Sequence, residues 1–154
     1  RNTFSSNLSF RREIFLELGG FQTDMGKRGE NNLQGGETEL CVRLHQETGE
    51  RVIYNPDAVA SHRIYDYRTD RTWLLERSFW QGYSKQYMEQ LAEGSTDTEY
   101  EFVADIVTKF IPERVRSLIT RPSVDRLDEF AMLLLLTGAA GGGYGYALIK
   151  DTLE

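Results

Sequence analysis

Leu33-Gln34-Gly35-Gly36-Glu37-Thr38-Glu39-Leu40-Cys41-Val42-Arg43-Leu44 is the stretch that decides what this chain is. Gly35-Gly36 signals a turn, and the residues after it have helical spacing. At 3.6 residues per turn, Glu37, Leu40, Cys41 and Leu44 share one face. Glu39 falls on the opposite side with Arg43 four residues on, so it reads as a solvated ion-pair residue. Glu37 heads the apolar stripe in the first helical turn, beside glycines that let a ligand approach. A carboxylate there needs a reason, because burying one without a partner is costly. Two reasons are open. It can complement the helix dipole as an N-terminal charge, or it can be a general base at the floor of a cleft.

Outward from this stretch, composition sets the bounds. The chain has 154 residues, 40% of them hydrophobic, with a formal net charge of -6. That supports one domain with a real core. The acidic balance argues against nucleic acid as a partner, and no basic cluster contradicts it. A single cysteine, Cys41, excludes an internal disulfide framework and a multi-cysteine zinc site. It lies on the apolar face of its helix and reads as core. The sequence begins at Arg1 in mid-pattern, with no charged leader before an apolar run. The expectation is a fragment, the C-terminal part of something longer.

Upstream of the glycine turn, residues 2–9 crowd hydroxyls and amides between Phe4, Leu8 and Phe10. They suit an extended segment entering a site loop, or a capped turn. Residues 11–18 read as a short helix buried through Ile14, Phe15 and Leu18, and ended by Gly19-Gly20. Residues 22–34 have no hydrophobic period and read as a loop arching toward Glu37. Downstream, the second helix stops near Gly49. Arg51-Val52-Ile53-Tyr54 reads as a strand, Asn55-Pro56-Asp57 as a turn, and Ala58-Val59-Ala60-Ser61-His62 as a second extended run.

Four blocks of this region carry a resemblance. They are Asn7-Leu8-Ser9-Phe10-Arg11-Arg12-Glu13, Leu18-Gly19-Gly20-Phe21, Gly35 through Leu44, and Val52-Ile53-Tyr54-Asn55-Pro56-Asp57-Ala58-Val59 followed by His62. In order and spacing over residues 5–62 they resemble the C-terminal half of an inverting family 2 glycosyltransferase with the GT-A fold. The lysine-bearing glycine loop and the aromatic helix further on look like transferases that work on lipid-phosphate-linked sugars. The resemblance implies an acidic pair at the start of the second helix, its latter member being the general base. That member is Glu37, and Gly36 replaces the preceding acid. It also implies a histidine near the end of the last strand that helps hold a divalent metal, manganese or magnesium, and His62 occupies that place. The nucleotide-binding half, with an aspartate-x-aspartate motif, would lie before Arg1, so the fragment alone is expected to be inactive. Ser6, Asn7, Gly35 and Gly36 are the candidate substrate-binding residues. For Ser6 and Asn7, a simple loop cap is the alternative.

Beyond Tyr65 the composition changes. Residues 71–91 form a long helical pattern with Trp73, Trp80, Tyr87 and Leu91 along one face, accompanied by Arg71, Arg77 and Lys85. Aromatics mixed with cations suit a helix in a membrane interface, or one packed under the catalytic part. Gly94-Ser95-Thr96-Asp97 is a break and cap. Tyr100, Val103, Val107 and Phe110 define a further amphipathic helix, which Pro112 is expected to interrupt. Arg114, Arg116, Arg121 and Arg126 then precede residues 131–149, an uncharged run that meets the ~18-residue threshold for a spanning helix. The arginines put the preceding chain on the cytoplasmic side. A buried helix of a soluble protein is the alternative.

The expectation is therefore an α/β fold: the acceptor-side part of a GT-A domain over residues 1–66, followed by a mainly α-helical, membrane-associated extension over 67–154. The parent enzyme would move a sugar from a nucleotide-sugar donor to a hydroxyl acceptor, a glycan or a lipid-linked glycan. The second hypothesis is a non-catalytic membrane-association or partner-binding module.

Overall fold

A computed structural model describes residues 5–28, 31–91 and 97–153. The elements are α1 (Arg12–Glu17), β1 (Lys27–Arg28), β2 (Asn31–Asn32), α2 (Gly36–Thr48), α3 (Arg71–Leu91), α4 (Asp97–Asp105), α5 (Ile111–Thr120) and α6 (Val124–Leu153). Short 3₁₀ turns occupy Ser5–Asn7 and Asp66–Thr69, and a π-helical turn occupies Ile106–Phe110.

The expected α/β architecture is not what forms. The chain is mainly helical, and among the described residues the only ladder is β1 against β2, antiparallel, with Lys27 opposite Asn32 and Arg28 opposite Asn31. The GT-A part of the expectation falls with it. Residues 51–54 and 58–62 have strand-like composition but no strand beside them. A strand satisfies its backbone only against a neighbour. Here the β-branched side chains stand in solvent, Ile53 89% and Val59 85% exposed. Composition marked these segments as suited to a sheet, but it could not supply the partner.

The first helices enclose a small core. Leu18, Leu40 and Leu44 are buried, with Phe10, Ile14 and Phe15 packed against them. The Phe21 ring meets Phe15 edge-on at 5.4 Å between centroids. The buried face of α2 is rotated toward Glu39 from its expected position: Glu39 is 2% exposed, while Glu37 and Cys41 are half-buried. Arg43 is the cause. It makes a two-pronged ion pair with Glu39, Nε to Oε1 at 2.7 Å and Nη2 to Oε2 at 2.9 Å. It also donates to the carbonyls of Leu18 and Gly20 at the end of α1. The i, i+4 pairing expected of Glu39 is present, but it lies between two helices and not in solvent.

The second unit is α3 packed along α6. Asp70 caps α3, its carboxylate accepting from the Thr72 and Trp73 amides at 2.8 and 3.3 Å. Arg71 pairs with Asp128 near the start of both helices, and the Tyr144 hydroxyl donates to Glu89 at 2.6 Å further along. The two helices therefore run in the same direction. They touch backbone to backbone. A Cβ on Gly82 would stand 1.8 Å from the Ala140 carbonyl oxygen, and one on Gly143 would stand 1.9 Å from that of Phe79. Only glycine fits at either position. Tyr146 covers the crossing, its ring about 6 Å from those of Phe79 and Tyr83.

Between these helices the chain returns through α4 and α5. Pro112 does not break the helix as expected. Helical backbone continues across it, and the π turn at Ile106–Phe110 immediately before it absorbs the hydrogen bond that proline cannot donate. Arg114 pairs with Glu129, and Arg126 donates to the carbonyl and hydroxyl of Ser117, tying α5 to α6. Of the expected break, residues 94–96 lie outside the described residues.

Candidate functional site

The two units meet where the segment before α2 lies on α3. The Gln34 amide donates to the Ser84 hydroxyl at 2.8 Å, and that hydroxyl donates to the Trp80 carbonyl at 2.6 Å. Ser84 is 2% exposed, so the pair is shielded and the register of the segment is fixed. Gly35, at φ +94°, makes the turn into α2 in a left-handed conformation that favours glycine. A Cβ there would meet the Met88 sulfur at 3.2 Å. The glycine expected to make room for a ligand thus also makes room for a methionine.

This docking leaves a small open cleft of about 50 Å³ lined by Asn32, Gln34, Trp73, Glu76, Arg77 and Trp80. Trp73, Arg77 and Trp80 are four and three residues apart on α3, one helical stripe. The Asn32 amide donates to the Glu76 carboxylate at 3.3 Å, and the Gln34 side chain reaches the Arg77 carbonyl at 3.5 Å. Glu37 acts on Arg77 through space. Burial pulls the Arg77 guanidinium below its usual range, the charge of Arg68 adds to that, and Glu37 opposes it. Glu37 is thus at the head of α2, half-buried, in the field of an arginine walled by two tryptophans. A larger depression of about 290 Å³ lies elsewhere, lined by Leu8, Phe10, Arg12, Phe15 and Phe21. It is mostly apolar and gathers no set of polar groups, so the smaller cleft is the candidate site.

The other expected site residues lie apart from it. Gly35 and Gly36 are contiguous with Glu37. Ser6 and Asn7 are exposed in the first 3₁₀ turn, where the Asn7 amide donates to the Ala58 carbonyl at 2.6 Å. That bond ties the turn to the extended segment and gives Asn7 a structural role. His62 is exposed in the same segment. Among the described residues no three His, Cys, Asp or Glu side chains gather in a way that would hold a metal ion, so His62 has no companions for a complete site. Trp73 and Trp80 line the cleft, partly buried, which suits the alternative of packing under the first unit. Sequence reasoning named them but missed Asn32 and Gln34, which share the cleft and whose hydrogen bonds to Glu76 and Arg77 span more than forty residues.

Fold and site together define a helical protein with a polar, tryptophan-walled cleft and a glutamate at a helix head beside it. No family model matches the chain, and no solved structure matches it. The chain is similar to the glucosyl-dolichyl phosphate glucuronosyltransferase of Haloferax volcanii, 39% identical over 153 residues. The match covers 99% of this chain and 49% of that protein, so the chain spans about half the length of its relative.

Proposed function

We propose that the complete protein carrying this chain is a glycosyltransferase of lipid-linked glycan synthesis. It moves a sugar from a nucleotide-sugar donor onto a lipid-phosphate-linked sugar. The observation that carries this is the similarity along almost the whole chain to an enzyme named for that chemistry. The four sequence blocks support family 2 and an inverting course.

In this reading Glu37 is the base. An inverting transfer needs one carboxylate to take the proton of the acceptor hydroxyl as its oxygen attacks the anomeric carbon in line. The C–O bond to the leaving diphosphate breaks as the new one forms. Glu37 suits the role because the Gln34–Ser84 bond and the Gly35 turn hold the head of α2 in place. A divalent cation, where present, neutralises a leaving diphosphate. The described residues do not complete a site for one around His62.

We place the protein on a membrane, on its cytoplasmic side. α6 is long and apolar enough to cross a membrane, and 11% of its most apolar window is buried. Arg116 and Arg121 are exposed just before it. The test is an assay of the complete protein with a glucosylated polyprenyl phosphate and a panel of nucleotide sugars. The expected result is transfer from one donor, uridine diphosphate glucuronate being the first choice. Absence of transfer from every donor in the panel contradicts the proposal.

A further inference from the structure

Among the described residues Arg77 is a half-buried charge without a direct counter-charge. Among the described residues its guanidinium makes no hydrogen bond, ion pair or ring stack. It is nonetheless half-buried, in the wall of a cleft. Buried charges are normally paired. The other partly buried arginines among the described residues each have partners: Arg43 a carboxylate and two carbonyls, Arg68 the Tyr67 hydroxyl and the Tyr67 and Trp73 rings, Arg126 the carbonyl and hydroxyl of Ser117.

The cleft is small. At about 50 Å³ it has room for a few waters or one tetrahedral group, not a sugar ring. A guanidinium presents a flat fork of donors matched to phosphate. Asn32 and Gln34 share the lining, their side-chain amides donating to Glu76 and to the Arg77 carbonyl. Trp73 and Trp80 close the sides with apolar, polarisable faces, where a hydrocarbon chain attached to the anion can rest. Glu76 shares the lining; it is exposed to solvent, and its carboxylate accepts from the Asn32 amide. Gln34, a lining residue fixed by its bond to Ser84, stands three residues before Glu37, and Glu37 lies in the field of the same arginine. An anion on Arg77 would therefore bring the molecule that carries it toward the base.

We infer that Arg77, flanked by Trp73 and Trp80, is a phosphate-binding subsite that anchors the phosphate of the lipid-linked acceptor beside Glu37. This deepens the proposed function and rests on it for the identity of the ligand. Binding of phosphate to the cleft can be measured without any transfer.

The protein supplies its own probe. Its two tryptophans, Trp73 and Trp80, both line the cleft. Tryptophan emission of the full 154-residue chain is titrated with inorganic phosphate, geranyl phosphate, geraniol, uridine diphosphate and glucuronate. The expected result is a saturable change with inorganic phosphate and a tighter one with geranyl phosphate. Geraniol and glucuronate should give no saturable change. Arg77→Gln should weaken geranyl phosphate about 10- to 100-fold, the usual loss of a hydrogen-bonded charge. Arg77→Lys, which keeps charge without the fork, should fall between. Circular dichroism of both variants must show the wild-type helix content. Tighter binding of uridine diphosphate than of geranyl phosphate would keep the phosphate site but assign it to the donor, overturning the acceptor assignment. Geraniol matching geranyl phosphate, glucuronate replacing phosphate, or Arg77→Gln binding as wild type would each overturn the subsite. If phosphate binds while the complete protein transfers no sugar, the functional reading fails and the subsite stands.

Discussion

Glu39 and Glu37 are two residues apart, and the fold gives them different work. Glu39 is locked by both its oxygens to Arg43, which in turn holds the end of α1. The hydrogen bond to Glu39 raises Arg43 above its usual range. A group raised on folding contributes stability below its unfolded value and loses it only as pH rises through the still higher folded one. The arginine's contribution is therefore constant through neutral pH. Removing one partner of a buried pair strands the other. Glu39→Gln should cost about 3–5 kcal/mol of stability in urea unfolding. A loss below about 1 kcal/mol would mean that the pair is as weak as a surface one. Among the described residues Glu37 has no such lock, and it is the carboxylate proposed as the base.

Among the elements, the α3–α6 crossing depends on what is missing from two side chains. Gly143→Ala puts a methyl group into the Phe79 carbonyl, so the helices must part, at a cost of about 1–3 kcal/mol or more. Gly142→Ala, one residue away with open space around it, should be neutral or stabilise by up to about 1 kcal/mol through helix propensity. Thermal melts of the two variants check the contrast, and equal effects would contradict the packing. The sequence showed glycines in an apolar helix but not which of them meet a partner. Local features were legible in it: the helix after Gly36, the long helix before Leu91, the Glu39–Arg43 spacing and the apolar run of α6. Non-local ones were not. Val52 and Ile53 look like strand residues because β propensity describes a half-buried pleated surface, and no such surface covers them. The buried position of Glu39 followed from the carbonyls of Leu18 and Gly20, which no helical periodicity of α2 can reveal.

Across the molecule, apolar side chains are exposed on the extended segment, Ile53 and Val59 among them, and on the helical unit. Leu134, Leu135, Leu148 and Ile149 are exposed on α6, and Phe102, Val103, Val107 and Ile119 on the return through α4 and α5. That distribution suits contact with lipid from the side of α6 turned away from α3. It replaces the tryptophan face as the expected membrane contact. The protein should float with anionic vesicles, and Leu135→Glu with Ile149→Glu should reduce flotation without loss of helix. Unchanged flotation of the double variant, or wild-type protein that ignores vesicles, would contradict the membrane assignment.

Glu37, at the head of α2 three residues beyond the cleft residue Gln34, is proposed as the base for sugar transfer. The most direct measurement is turnover of Glu37→Gln in the complete protein, with donor binding measured alongside. Positioned general bases contribute about 100- to 10,000-fold, so turnover should fall by that factor while donor affinity is kept. Near-normal turnover in the variant would contradict the account.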